Sequence, residues 1–259
     1  MVGRKMQEVA RQSVRLSGQD PKALFEKMPP RYLLYTPSRE ILKHIDLFHR
    51  LGDLPFVLTA HPTKVDLRTV TVCARDRPGL FSKIAGALTL HNLGVLDANI
   101  YTWGNRIALD IFTVKAPPDR LHEEETWERV RRDLHAALSG QQELETAVEQ
   151  KMMQIKPAKR KGTLRPDKIV VDNRGSDFFT IIEVYANDFP GLLYKITNVL
   201  FRCGMDVRVA KIATKVDQVL DIFYVRDLYG ETVDNPAQVE ALRGAIQEVL
   251  APRPSAGEQ

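Results

Sequence analysis

One stretch of this chain occurs twice. The segment ARDRPGLFSKIAGAL at 74–88 returns as ANDFPGLLYKITNVL at 186–200, a separation of 112 residues. Compared without gaps, 70–102 and 182–214 share 13 of 33 positions, including an Asp-x-Pro-Gly turn and apolar residues at helical spacing. A long internal repeat of this kind indicates one structural unit that is built twice and packs against its own copy.

Both copies predict the same order of elements. An alternating strand leads into the Pro-Gly turn, and the helix that follows carries one apolar stripe, formed by Leu80, Ile84 and Leu88 in the first copy. Two strands joined by a tight turn and a second helix complete a β-α-β-β-α unit. We expect IVVDN (169–173) to close the first copy as ferredoxin-like βαββαβ, and FVLTA (56–60) to supply the last strand of the second. The predicted fold class is α+β.

The composition restricts the class of protein. A net charge of +4 on 259 residues is only a weak indication of an acidic partner. Cys73 and Cys203 stand at non-equivalent places in the copies, which favours a reducing, cytoplasmic compartment. No stretch approaches about 18 uninterrupted apolar residues and no apolar signal core opens the chain, so we expect no membrane association.

The repeated turn, DRPGL at 76–80, resembles the usual signature of ACT domains, the small ferredoxin-like modules that sense amino acids. The stretches LFEKMPPRYLL, ANIYTWGNRIALDIFTV, VVDNRGSDFFTIIEV and AKIATKVDQVLDIFYVRD extend this likeness from about residue 20 to 250. They are similar to the C-terminal part of the bacterial PII uridylyltransferase/uridylyl-removing enzyme family. This resemblance implies tandem ACT domains, glutamine as the effector, and the nitrogen-signalling protein PII as partner when catalytic domains are present.

The catalytic motifs of that family have no counterpart in this sequence. There is no Gly-Ser followed by paired aspartates, as a nucleotidyltransferase requires, and no His-Asp doublet of a phosphohydrolase. We therefore predict no catalytic residue, no metal and no cofactor here, and a regulatory region without its enzyme half. The second copy departs from the family at Phe189, where Arg is usual, and at Val216, where Gly is usual.

The resemblance and the repeat together divide the chain into four predicted parts. Residues 1–53 form a helical N-terminal segment, and 54–173 hold the first ACT domain with a basic linker. Residues 174–251 form the second ACT domain, and 252–259 a disordered tail. A homodimer formed through the ACT domains is a further expectation.

The opening of the first repeated helix offers the chemistry that an amino acid needs. N–H groups near Gly79, Leu80 and Phe81 can receive a carboxylate, and the absence of a side chain at Gly79 lets the backbone approach closely. The carboxylate of Asp76 can hold the ammonium group. The alternative for Asp76 is a helix cap or turn former, and the sequence leaves both open.

The second copy repeats the arrangement with Asp188, Gly191, Leu192 and Leu193, although capping is the favoured interpretation for Asp188.

Polar residues on the following strands are further candidates. Asn99 and Lys211 are equivalent and either reach a ligand side chain or, as is more common, are exposed strand residues. Asp110 and Asp221 interrupt apolar strands at matching places and either bind a ligand or hydrogen-bond to neighbouring backbone. The sequence does not choose between these alternatives.

Other classes of function have weaker support. His44, Asp46 and His49 do not share one helix face, which argues against a metal site. The basic linker 156–165 lacks interleaved aromatic residues, so a solvated loop is favoured over contact with nucleic acid. The main alternative is a free-standing ACT protein that binds an amino acid without a link to nitrogen control, and a nucleic-acid-binding protein is less favoured.

Overall fold

The computed structural model describes residues 2–17, 21–141, 144–154, 166–214 and 219–251. The predicted linker 156–165, the hairpin residue Val216 and the predicted disordered tail 252–259 lie outside the described residues.

Helices occupy about half of the described chain and strands most of the rest. The helices are α1 (Val2–Ser17), α2 (Lys22–Phe25), α3 (Pro30–Tyr35), α4 (Ser38–Leu51), α5 (Leu80–Leu90), α6 (Glu123–Leu138), α7 (Leu144–Gln154), α8 (Leu192–Arg202) and α9 (Pro236–Leu250). The strands are β1 (Phe56–Lys64), β2 (Leu67–Arg75), β3 (Val95–Trp103), β4 (Ile107–Lys115), β5 (Lys168–Asp172), β6 (Thr180–Ala186), β7 (Met205–Thr214) and β8 (Val219–Asp227). Within these ranges, no helix combines the length and the apolar composition that a membrane crossing requires.

All strands join one antiparallel sheet in the order β1-β2-β4-β3-β7-β8-β6-β5. The first repeat supplies the half β1-β2-β4-β3, and the second repeat supplies β7-β8-β6-β5 in mirrored order. The halves meet where β3 pairs with β7, with Asn99 directly opposite Lys211. The prediction of two ferredoxin-like units in tandem, preceded by helices, is confirmed.

Both predictions about the outer strands are wrong. The IVVDN segment forms β5 and pairs with β6 of the second repeat, while FVLTA begins β1 and pairs with β2 of the first. Each outer strand therefore precedes its β-α-β-β-α unit, and β5, which the predicted division placed in 54–173, belongs to the second half of the sheet. A short connection explains the choice for β1, because Lys64 and Leu67 already pair across the turn and little loop entropy is lost.

Helices α5, α6, α8 and α9 cover one face of the whole sheet and form its main core. The predicted apolar stripe of α5 lies in this core, as does the equivalent stripe of α8, Leu192, Ile196 and Leu200. Phe112 and Phe223, equivalent residues of β4 and β8, are fully buried beneath the helices. Since α5 and α8 pack side by side, the core is continuous across the seam between the repeats.

The N-terminal helices cover the opposite face of the first half only. Tyr32 and Trp103 lie at the centre of this second core, with ring centroids 5.8 Å apart. The buried Tyr32 hydroxyl and His44 Nδ1 form a hydrogen bond of 2.8 Å, and burial lowers the pKa of His44 to about 4. His44 is thus a core residue, and no group of metal-ligating side chains occurs among the residues that the structure describes.

A partly buried ion pair fixes the start of α6 to the start of β2. Arg68 Nε and Nη2 donate to the two carboxylate oxygens of Glu123 at 2.6 and 2.7 Å, and the Arg68 side chain is 8% exposed. We expect Glu123→Gln to lower the free energy of unfolding by about 2 kcal/mol, because it leaves a desolvated guanidinium without its counter-ion. The neighbouring Glu124→Gln, which breaks an exposed pair with Arg131, should cost less than about 0.5 kcal/mol. Urea unfolding of both variants measures the difference, and equal costs would contradict the assignment.

Candidate ligand site between the repeats

The first repeated turn places a glycine with a left-handed backbone directly before α5. Gly79 has φ 78°, a conformation that costs other residues strain, and a Cβ there would lie about 3.0 Å from the Phe201 ring. The Leu80 N–H donates to the Arg77 carbonyl at 3.2 Å, so one of the three predicted N–H groups is already engaged. The described hydrogen bonds include none from the N–H of Gly79 or Phe81, which leaves both groups available.

Asp76 does not cap the helix. The structure gives α5 no side-chain cap, and Asp76 instead contacts the second repeat. The capping alternative therefore finds no support in the described contacts.

A cleft opens in front of this turn, and both repeats form its walls. The enclosed space is about 20 Å³, close to that of one water molecule, within a concave region of about 380 Å³ that includes open solvent. Its lining residues are Asp76, Arg77, Gly79, Leu80, Phe81, Ser82, Ile100, Ala108 and Asp110 from the first repeat and Thr197, Phe201, Met205, Asp206 and Val207 from the second. Four predicted site residues, Asp76, Gly79, Leu80 and Phe81, are thus brought together at the seam.

Asp110 lies at the floor of the cleft. Its side chain is 1% exposed, and its Oδ1 atom has no hydrogen-bond partner in the described structure. Burial, reinforced by the nearby Asp76 carboxylate, raises its pKa well above the ordinary value. Asp110 lines the cleft, and none of the described hydrogen bonds joins its buried Oδ1 atom to neighbouring backbone, which was the alternative to ligand binding.

Two charged residues at the seam were not found from the sequence: Asp206, which lines the cleft, and Arg208, which contacts Asp76. Arg208 Nη1 lies 3.0 Å from Asp76 Oδ2, and its Nη2 lies 2.5 Å from Asp206 Oδ2. Burial raises the pKa of Asp206 above its ordinary value, and Arg208 opposes that rise. The missed signal was a difference between the copies, since Arg208 and Asp206 stand where the first repeat has Leu96 and Gly94.

The corresponding place in the second repeat is filled. Gly191 has φ 83°, as Gly79 does, but a Cβ there would lie 2.8 Å from Met152 Sδ and 3.2 Å from the Thr89 side chain. Met152 belongs to α7, a helix that the sequence analysis missed, and Leu193 packs beside it. The Leu192 N–H donates to the Phe189 carbonyl at 3.1 Å. The two repeats therefore share a backbone design, but Phe201 lies against Gly79 beside the cleft, whereas Met152 and Thr89 lie against Gly191.

Carboxylates remain at this second place. Burial raises the pKa of Asp188, although nearby Lys115 opposes the rise. Asp221, equivalent to Asp110, is 1% exposed with an unpartnered Oδ1. Burial, reinforced by Asp188, raises the pKa of Asp221 to about 7.

Asn99 and Lys211 are not brought to the cleft. They alternate with the core residues Ala98, Ile100, Ala210 and Ile212, so they lie on the opposite face of the sheet. Asn99 Nδ2 donates to Asp97 at 2.9 Å, and Lys211 Nζ lies 5.7 Å from the centre of the Tyr224 ring. Their contact with a ligand stays a prediction that this geometry does not support.

Comparison with solved structures gives only weak similarities. Aspartate kinase from Synechocystis aligns over 71% of this chain and 26% of its own, with 11% identity and a TM-score of 0.36. The regulatory subunit of aspartate kinase from Thermus thermophilus aligns over 75% of this chain and 99% of its own, with 15% identity and a TM-score of 0.22. Values this low carry no argument, and no family model matches the chain.

Similarity to curated proteins is much stronger. The bifunctional uridylyltransferase/uridylyl-removing enzyme of Rhodospirillum rubrum is 32% identical over 225 residues, and that of Gluconobacter oxydans 31% over 229. These alignments cover 85% and 87% of this chain, yet only 24% of either relative. The enzyme of Novosphingobium aromaticivorans is 36% identical over 71% of this chain and 20% of its own length. The chain therefore spans about a quarter of these relatives, and it belongs to the family of bifunctional uridylyltransferase/uridylyl-removing enzymes.

Proposed function

We propose that this chain is the amino-acid-sensing regulatory region of a uridylyltransferase/uridylyl-removing enzyme, that glutamine is its ligand, and that ligand binding controls uridylylation of PII. The observation that carries the proposal is the cleft at the seam, where the Asp76 carboxylate, the free N–H groups of the α5 start and the buried Asp110 face one space. One ligand with a cation, an anion and a polar side chain would engage all three.

The charges of the cleft favour an amide side chain over a carboxylate. Asp76 can accept from the ligand's ammonium group, and the N–H of Phe81 can donate to its carboxylate. The amide NH₂ of glutamine can donate to the unpartnered Asp110 oxygen. The carboxylate of glutamate would instead bring a negative charge beside Asp110, where burial already disfavours a negative charge and raises the pKa of the residue's own carboxyl group.

Titration calorimetry with L-glutamine, L-glutamate, L-serine and L-phenylalanine tests the proposal, with Asp76→Ala and its repeat equivalent Asp188→Ala as matched variants. We expect glutamine alone to give saturable heat. Asp76→Ala should weaken binding about 10- to 100-fold, because it removes a charge-assisted hydrogen bond. Asp188→Ala should change the Kd less than about twofold, since Met152 already fills that place.

Each other result has a defined meaning. Loss of binding in Asp188→Ala but not in Asp76→Ala would move the site to the second repeat. Absence of heat for every amino acid with the unaltered chain would reject the sensing proposal.

Regulation would follow from where the cleft lies. A ligand that contacts both repeats stabilises the packing arrangement that binds it best. The resulting change in packing can alter any domain that contacts the repeats. We expect a chimera of this chain with the rest of the Rhodospirillum rubrum enzyme to transfer uridylyl groups to PII at a rate that glutamine changes. The same chimera with Asp76→Ala should keep its basal rate and lose the glutamine response, whereas an unchanged response would separate PII control from this cleft.

A further inference from the structure

We propose that Arg208 is an internal competitor for the ligand's ammonium group, so that ligand binding must break the ion pair between Asp76 and Arg208. This inference rests on the proposed function and concerns how the Asp76 carboxylate is held without ligand. It makes Arg208 a residue that sets affinity and couples binding to the contact between the repeats.

A β-bulge in β7 directs the Arg208 side chain toward Asp76. In the pairing of β7 with β8, Val207 lies opposite Val225 and Val209 opposite Tyr224, so Arg208 is the extra residue without a cross-strand partner. Bulges re-aim side chains and are frequent beside functional sites. Here the bulge directs a cation from the second repeat toward the turn of the first.

The same bulge occurs in the first repeat, but it carries no charge there. Val95 pairs with Val114 and Asp97 with Thr113, which leaves Leu96 as the extra residue. The bulge is therefore common to both repeats, but only the bulge of the second repeat carries a cation. Strand geometry alone does not require an arginine at this position.

The guanidinium group of Arg208 occupies the position that a ligand's ammonium group needs. Its Nη1 lies 3.0 Å from Asp76 Oδ2, the distance of a charge-assisted hydrogen bond. The charged groups in contact with it are Asp76 and Asp206, and the lining of the neighbouring cleft adds Asp110 and the cation Arg77. A ligand ammonium group at the same carboxylate would lie close to the guanidinium group, and like charges at short range disfavour each other, so binding of one cation weakens binding of the other.

Displacement of Arg208 is sterically possible and has a structural consequence. Its side chain is 35% exposed, so the guanidinium group can turn toward solvent. The pair that it leaves joins residues 132 positions apart, one in each repeat. Ligand binding would thus break an ion pair between the repeats and add ligand contacts to both, which changes the packing between the repeats.

The test compares L-glutamine binding to the unaltered chain, Arg208→Leu, Arg208→Lys and the control Arg243→Gln. Leucine is the residue that the first repeat has at this position, lysine keeps the charge, and Arg243 lies on α9 outside the cleft lining. We expect Arg208→Leu to lower the Kd about three- to tenfold, because a competing ion pair of partly exposed groups is removed. Arg208→Lys and Arg243→Gln should stay within about twofold of the unaltered chain.

The sign of the change decides the proposal. A higher Kd in Arg208→Leu would show that Arg208 binds the ligand's carboxylate, and an unchanged Kd would show that it does not compete; either result overturns the inference while the proposed function stands. Absence of binding in every variant, each checked for folding by circular dichroism, would reject the proposed function and this inference with it.

A second readout follows the arginine itself. The Nε–H resonance of Arg208, assigned by its loss in Arg208→Lys, should move toward the position of a free arginine side chain as glutamine saturates the cleft. A resonance that stays in place at saturation would show that the ion pair persists in the complex, which contradicts the proposal.

Discussion

The free energy of unfolding of the unaltered protein is expected to fall by about 4 kcal/mol between pH 4 and pH 8 because Asp221 loses its proton, and Asp221→Asn should abolish this fall. Asp221 is 1% exposed on the core face of β8, and one of its oxygens has no partner. Burial, with a smaller contribution from Asp188, raises its pKa from 3.8 to about 7. The size of the effect follows from that difference, since each pKa unit corresponds to about 1.4 kcal/mol.

The direction follows from where the proton is held. Between the two pKa values the folded protein keeps a proton on Asp221 that the unfolded chain has released. The stability contributed by that proton is complete below pH 3.8 and is lost as the pH rises through 7. Asparagine has a similar shape and does not ionise, so its contribution stays constant over this range.

Urea unfolding at several values between pH 4 and pH 8 measures the effect, with Asp177→Asn as an exposed carboxylate control. The difference in unfolding free energy between Asp221→Asn and the unaltered protein should grow in favour of Asn as the pH rises, while the control stays parallel. Parallel curves for Asp221→Asn would show that this carboxyl group is ionised in the folded state at neutral pH. Asp221 suits this test better than Asp110, because Asp110 also lies in the candidate ligand site.

Trp103→Ala should lower the free energy of unfolding by about 4 kcal/mol and release the N-terminal helices from the sheet. Trp103 is 1% exposed, and its ring lies 5.8 Å from Tyr32 and 5.9 Å from Phe48. It thus joins β3 to both α3 and α4. Alanine would leave a cavity at the centre of the second core, where Trp103 is the largest side chain that the sheet contributes.

Limited trypsin digestion together with urea unfolding tests this expectation. Cleavage after Lys43 or Arg50 in α4 should accelerate in Trp103→Ala, since local release exposes the backbone to the protease. Trp103→Phe is the control: it keeps an aromatic ring and removes the indole N–H, which has no partner, so it should cost less than half as much. Destabilisation by alanine without faster cleavage would show that other contacts hold these helices.

The sequence predicted the parts of this fold that depend on neighbouring residues. The repeated turn, with glycine in a left-handed conformation, recurs because the local backbone geometry requires it at Gly79 and again at Gly191. The apolar stripes of α5 and α8 identified the faces that became the main core, since helical spacing alone places those side chains together. Asp76 and Gly79 could be named as site residues for the same reason.

Long-range pairing decided the remainder. The entropy of the connecting loop and the presence of a free sheet edge decide which strand lies outermost in each half. The residues of IVVDN and FVLTA indicate neither of these. Arg208 reaches the cleft only because a bulge and the β3–β7 seam bring it to a residue 132 positions away. Met152 closes the second place only because α7 crosses the paired helices, a contact that no local pattern encodes.

The sequence by itself therefore determined that two like units exist and which residues open each repeated helix. Only the tertiary structure decided which side chains surround each turn, with a cleft and charged groups of both repeats beside Gly79 and Met152 against Gly191. The physical reason is that the turns are fixed by backbone conformation within a few residues, whereas the walls around them come from distant segments, where the repeats differ most. Arg208 in place of Leu96, and Met152 over Gly191, turn a symmetric repeat into an asymmetric pair of sites.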